Sequence, residues 1–146
     1  MLSSFGIFLT AVMGGLAVAV QAQMAGLLDQ AMGTKESVFI TYGIGGVLIA
    51  LIILAMRGGH FSGWHNAPWY AYLSGLMGLV IVGSLSFCIP RMGIVEAFTV
   101  IVASQFIFGA VIDHFGFMGA AVRPIDHNKL IGMAVLVVGA WMILKK

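Results

Sequence analysis

The sequence predicts an all-α integral membrane protein with five transmembrane helices, and three observations carry that expectation. Of its 146 residues, 61% are hydrophobic and only 8% are charged, whereas ordinary soluble domains carry roughly 25% charged residues. The mean hydropathy is +1.09. A soluble fold of this length still exposes about a third of its chain surface, so this much apolar side chain has no compact aqueous arrangement. The charges also cut the chain into apolar runs near the ~20 residues that a helix needs to cross ~30 Å of hydrocarbon.

The first span is expected at 3–28, since no charge falls between Met1 and Leu28. No Lys or Arg precedes this run and it is too long for a secretory h-region, so it is expected to stay as a helix. Gly33 closes it and Thr34 caps the second span, 37–56. The third, 68–89, opens with Asn66 as cap and Pro68 in its first turn. Trp64, Trp69, Tyr70 and Tyr72 gather there as an interfacial aromatic belt. Pro90-Arg91 reads as a tight hairpin into the fourth span, 93–113. The fifth, 128–144, has an apolar part of only about 22 Å, but Lys129 and Lys145 can snorkel from its ends and Asp126 can cap it.

Other classes fall away on composition. Seven Lys/Arg against five Asp/Glu give a net charge of +2 with no basic cluster beyond Lys145-Lys146, which excludes nucleic-acid binding. Cys88 stands alone in an apolar run and reads as a small core residue. His60, His65, His114 and His127 fall in loops on one side, but no HExxH or paired-cysteine spacing accompanies them. No nucleophile elbow or phosphate-binding glycine loop is present either. No catalytic residue, metal, cofactor or enzymatic activity is expected.

Five spans place the termini on opposite sides. Arg57, Arg123 and Lys129 then share one side, and Lys35, Arg91, Lys145 and Lys146 the other. That near balance leaves the positive-inside rule almost nothing to act on. Either a small bias fixes one orientation, or the chain inserts both ways and pairs antiparallel with itself or a relative, generating an inverted repeat. Small residues at helical spacing suit close packing: Gly14, Ala17, Gln21 and Ala25; Tyr42, Gly46 and Ala50; Ser74 and Gly78. Such faces serve packing within one chain or between two.

Polar groups inside spans are costly, so each deserves an explanation. Glu96 is the one charge expected within a span. It is either a carboxyl that exchanges protons during transport or a first-turn acid favoured by the helix dipole. Gln21 and Gln105 lie nearer mid-membrane, where an amide can line a polar path or bridge two helices. Asp113 ends helix 4 against the dipole, and a clamp to Arg123 or Lys129 is expected, with a substrate contact as the alternative.

The stretch Asp113 to Gly119 (DHFGFMG), with Gln105 before it and Lys129 to Ile143 (KLIGMAVLVVGAWMI) after it, resembles the YdcZ-like inner-membrane family of the drug/metabolite transporter superfamily. Gly14 to Gln23 (GGLAVAVQAQ) and Ile89 to Gly93 (IPRMG) share in the likeness, which covers essentially the whole chain. The resemblance implies a five-helix half-transporter that works as a dimer of ten helices. It carries over Gln21, Gln105, Asp113 and Gly116 as motif positions. The related small multidrug resistance proteins use a mid-membrane Glu on helix 1; helix 1 is expected to lack an acid here, so that exchange does not carry across.

The expected function is therefore a secondary-active transporter subunit in a bacterial-type inner membrane, exporting a small organic solute by alternating access. Its partners would be the solute, the lipid bilayer and a second half-transporter, in a homodimer or heterodimer. Gln21, Glu96 and Gln105 are the expected pathway or coupling residues, with Asp113, His114 and Gly116 as a structural motif. The alternative is a non-transporting structural or assembly subunit in which the same polar groups bridge helices.

Overall fold

The computed structural model describes residues 4–56, 58–59 and 65–145. Five long helices account for nearly all of them: α1 Ser4–Met32, α2 Thr34–Ala55, α3 Ser74–Met92, α4 Ile94–Phe115 and α5 His127–Leu144. A 3-10 segment, Trp69–Leu73, leads directly into α3, and a short one, Phe117–Gly119, follows α4. All five helices are long and apolar enough to cross a membrane. Arg57, His60, Ser62, Trp64 and Lys146 lie outside the described residues.

Several helices run past the charge that delimits an apolar run. α1 continues through Asp29 to Met32, α2 begins before Lys35 and Glu36, and α3 passes through Pro90 and Arg91. Proline disrupts a helix by lacking its own N–H and crowding the carbonyl four residues back. At Pro90 the chain tolerates this within three residues of the helix end, and the break falls instead at Gly93 (φ 96°). The expected Pro90-Arg91 hairpin is thus displaced to a glycine that can adopt positive φ without a Cβ penalty.

Two expected caps are also corrected. Gly33 (φ 106°) occupies the N-cap position of α2, while the Thr34 hydroxyl donates backwards to the Asp29 carboxylate. Pro68, not Asn66, precedes the first turn of the Trp69–Leu73 segment. Asp126 does cap α5, accepting from the Lys129 N–H at 2.8 Å.

The chain divides into two compact units, 1–91 and 92–146. In the first, α1 packs on α2, and α3 approaches both. Gly26 sits against Ile89, whose Cγ2 lies 3.1 Å from where a Cβ would stand. Gly78 gives room to the Tyr42 hydroxyl in the same way. Tyr42 and Gly78, two of the small-residue faces read from the sequence, therefore meet within one chain. In the second unit α4 packs on α5.

The buried set is small and recurs at a constant interval along the chain. Ala22, Ala25, Asp29 and Ser37 are buried around the α1–α2 turn, and Val82, Leu85, Ile89 and Ala97 occupy the corresponding positions around the α3–α4 turn. The turns match as well. Met32-Gly33 precedes Glu36 as Met92-Gly93 precedes Glu96, and backbone bonds Ser37 N–H to Gly33 O (3.0 Å) and Ala97 N–H to Gly93 O (3.1 Å) close each one. α2 and α4 both have 22 residues. A helix–glycine–helix module is therefore used twice, followed by α5. Outside this small interior the large apolar side chains point outward, as with Phe39 at 78% and Leu54 at 72% exposed. That inversion of the soluble pattern suits a hydrocarbon surround.

Candidate functional site

In 92–146, the facing sides of α4 and α5 leave a groove of about 580 Å³. Gln105, Gly109 and Asp113 stand one helical turn apart on α4, and Lys129, Gly132 and Leu136 contribute the α5 wall. Two of the expected residues, Gln105 and Asp113, are thus brought together, with Lys129 beside them. The groove is open because Gly109 and Gly132 are small; a Cβ at either would meet nothing within 4 Å.

Gln105 is exposed on this wall, and among the described residues no hydrogen bond engages its amide. The expected charge clamp on Asp113 is not made. Among the described residues the ion pair present is Arg91–Asp29, and the Arg123 contact to Asp113 runs from backbone N–H to carbonyl at 2.8 Å. Lys129 Nζ donates instead to the carbonyls of Arg123 (3.4 Å) and Pro124 (3.2 Å).

The Asp113-His114-Phe115-Gly116 segment ends α4 and folds the following loop back on it. Gly116 adopts the left-handed conformation (φ 65°) at the helix C-terminus, the usual device for closing a helix. A Cβ there would run into Val122, 2.7 Å away. His114 Nδ1 accepts from the Ile125 N–H at 3.1 Å, and its ring meets Phe115 edge-on. Phe115 in turn stacks on Phe117. These contacts tie 116–125 to the end of α4 and so set where α5 begins.

Gln21 and Glu96 lie elsewhere. Gln21 lines a second groove, of about 550 Å³, between α1 and α2, together with Met13, Leu16, Thr41 and Ile44. Glu96 is half-buried in the first turn of α4, with its carboxylate over Gly93: Oε2 lies 2.5 Å from where a Cβ would stand. Glu36 occupies the same place at Gly33. Thr99 and Ser104 bond back to carbonyls of their own helix, at 2.7 and 2.8 Å.

One cluster escaped the sequence reading. Asp29, 8% exposed, accepts from Thr34 and from Arg91 at 2.9 Å. Beside it the fully buried Ser37 and Ser86 hydroxyls bond each other at 2.8 Å and both reach the Ala25 carbonyl. This network joins α1, α2 and α3. It also shows that helix 1 does carry an acid, three residues before its end rather than at mid-membrane. Serines inside apolar runs and an acid at a run's edge give little signal, because their partners are far away in sequence. Among the described residues no three His, Cys, Asp or Glu side chains form a metal-ligand cluster.

Five apolar helices, polar groups facing two grooves between helices and an outward apolar surface define a multi-pass membrane protein. The chain belongs to the family described as "Putative inner membrane exporter, YdcZ", which matches residues 6–142. It is similar to the inner membrane protein YdcZ of Escherichia coli (strain K12), with 25% identity over 136 residues covering 90% of each chain. No solved structure matches it. The protein is thus a multi-pass inner-membrane protein of an exporter family, which points to transport rather than catalysis.

Proposed function

We propose that the chain is one half of a secondary-active exporter that moves a small organic solute by alternating access. The observation that carries this is the α4–α5 groove, where Gln105 and Asp113 face one space that no side chain of 92–146 fills. An amide exposed at membrane depth is costly, by roughly 1–2 kcal/mol on model-peptide scales, and a solute path relieves that cost when occupied. Gln21 plays the corresponding part in the α1–α2 groove. Five helices enclose little by themselves, so a second copy or a related half completes the path, as an antiparallel homodimer or a paired heterodimer.

Glu96 enters as the coupling carboxyl of this scheme, in competition with its role at the Gly93 turn. Its counterpart Glu36 separates the two. Proton-coupled export lost in Glu96→Gln but kept in Glu36→Gln supports coupling, and equal, modest effects on stability alone assign both to their turns.

The test is reconstitution into vesicles with an imposed proton gradient and a panel of small organic solutes. Gradient-driven uptake, reduced about tenfold or more by Gln105→Leu while assembly is retained, is the expected result. Silence across ion and proton gradients alike, with Gln105→Leu disturbing only assembly, points to the structural-subunit alternative.

A further inference from the structure

Two charges in the α4–α5 groove stand where helix electrostatics oppose them. Asp113 lies in the last turn of α4, at the negative end of its dipole, and Lys129 in the first turn of α5, at the positive end, where the Asp126 side chain accepts from the Lys129 N–H. Each would be relieved by the other, yet no ion pair joins them; among the described residues the pair present is Arg91–Asp29. Nor does any hydrogen bond among those residues engage the Asp113 carboxylate. Lys129 Nζ rests on two neutral carbonyls, which leave its charge uncancelled. Beyond the charges the wall is apolar, with Phe106, Met133 and Leu136, and open at Gly109 and Gly132.

We propose that this groove binds a free zwitterion with an apolar body, of the neutral amino-acid class. Its ammonium sits at Asp113, its carboxylate at Lys129, and its side chain lies over Gly109 and Gly132. The inference rests on the export reading and names the substrate class of that site. The end of α4 adds carbonyl potential around the ammonium, and the start of α5 adds amide potential around the carboxylate. Both misplaced charges are thereby satisfied by one ligand. A phospholipid headgroup offers similar charges, but the groove meets Gln105 about 12 Å along α4 from Asp113. An acyl chain would have to continue past that amide, whereas a free solute ends before it.

The experiment is calorimetric binding of L-leucine and L-phenylalanine to the purified full chain in detergent. 3-Methylbutylamine and 4-methylpentanoate serve as amine-only and acid-only counterparts of leucine, and phosphatidylethanolamine as competitor. At least one amino acid is expected to bind, with each leucine counterpart at least about tenfold weaker than leucine where leucine is bound, because losing one charge strands its protein partner. Asp113→Asn and Lys129→Gln are each expected to lower that affinity by about tenfold or more. A Cβ at Gly132 meets nothing within 4 Å, so Gly132→Leu is expected to keep the fold while filling the groove, and to abolish binding. It decides the matter if a charge variant fails to fold. Binding of neither amino acid, binding of the amine as tight as leucine, displacement by phosphatidylethanolamine, or full binding by Gly132→Leu overturns the proposal. An amino acid bound but never moved in vesicles sinks the export reading and leaves this one; another solute moved with no amino acid bound does the reverse.

Discussion

At Asp29 the side chain is 4% exposed, and its charge is held by the Arg91 guanidinium, whose side chain is 50% exposed. Arg91 also lies over the Phe87 ring, 3.8 Å from its centroid, and donates to the Phe87 carbonyl at 2.6 Å. Its removal strands a buried carboxylate, while water near the half-exposed partner limits the loss. Arg91→Ala is therefore expected to destabilise by about 1–3 kcal/mol, read by thermal unfolding in detergent. Arg91→Lys should recover only part of this, since an ammonium cannot both reach Asp29 and stack on Phe87 as a planar fork does. At Gly93 the cause is different. Positive φ and the overlying Glu96 carboxylate both oppose a side chain, and Gly93→Ala should cost about 1–3 kcal/mol. Arg91's importance was not legible from its neighbours in sequence, since it is explained by Asp29, 62 positions away.

The elements themselves were largely readable, because an apolar run of the right length has few alternatives to a helix when its backbone must bond internally. Their ends were less so. Counting stops at a charge, but a helix continues wherever that charge finds a partner, as Asp29 does in Arg91 and Thr34. The Met-Gly-x-x-Glu turn repeats openly in the sequence, but the buried positions around it are masked, since Ala22 becomes Val82 and Ser37 becomes Ala97 while burial is kept. The two turns are thus alike in backbone and in burial pattern, and unlike in chemistry. The first holds the buried Ser37 hydroxyl where the second has Ala97, and Ser86 of α3 reaches across to it. Ser86→Ala is expected to cost about 1 kcal/mol. A double-mutant cycle with Ser37→Ala should show coupling, because the two hydroxyls share one bond.

For the whole molecule the decisive quantity is how little is buried. Eleven of the described residues are buried, three of them polar. On the export reading proposed above, the exposed amides at Gln21 and Gln105 would face a second half, and the near balance of Lys and Arg leaves the orientation open. In a Cys88→Ser background, single cysteines at Lys35 and at His127 lie on opposite sides of a five-span chain. Both are expected to label from both sides of sealed vesicles if the homodimer is antiparallel. Labelling of each from one side only, with no related partner present, would falsify dual insertion.

Composition and apolar run length by themselves determined an all-α, five-helix membrane protein, because hydrocarbon admits no other use for such runs. Gln105 and Asp113 stand out in the sequence as polar groups against an apolar background. Which of those groups share a space was decided only by the tertiary structure. Helix rotation and the small residues Gly109 and Gly132 place Gln105, Asp113 and Lys129 on one groove, and Glu96 at a turn away from it. Side chains distant along the chain meet only through packing, and no local pattern in the sequence encodes that meeting.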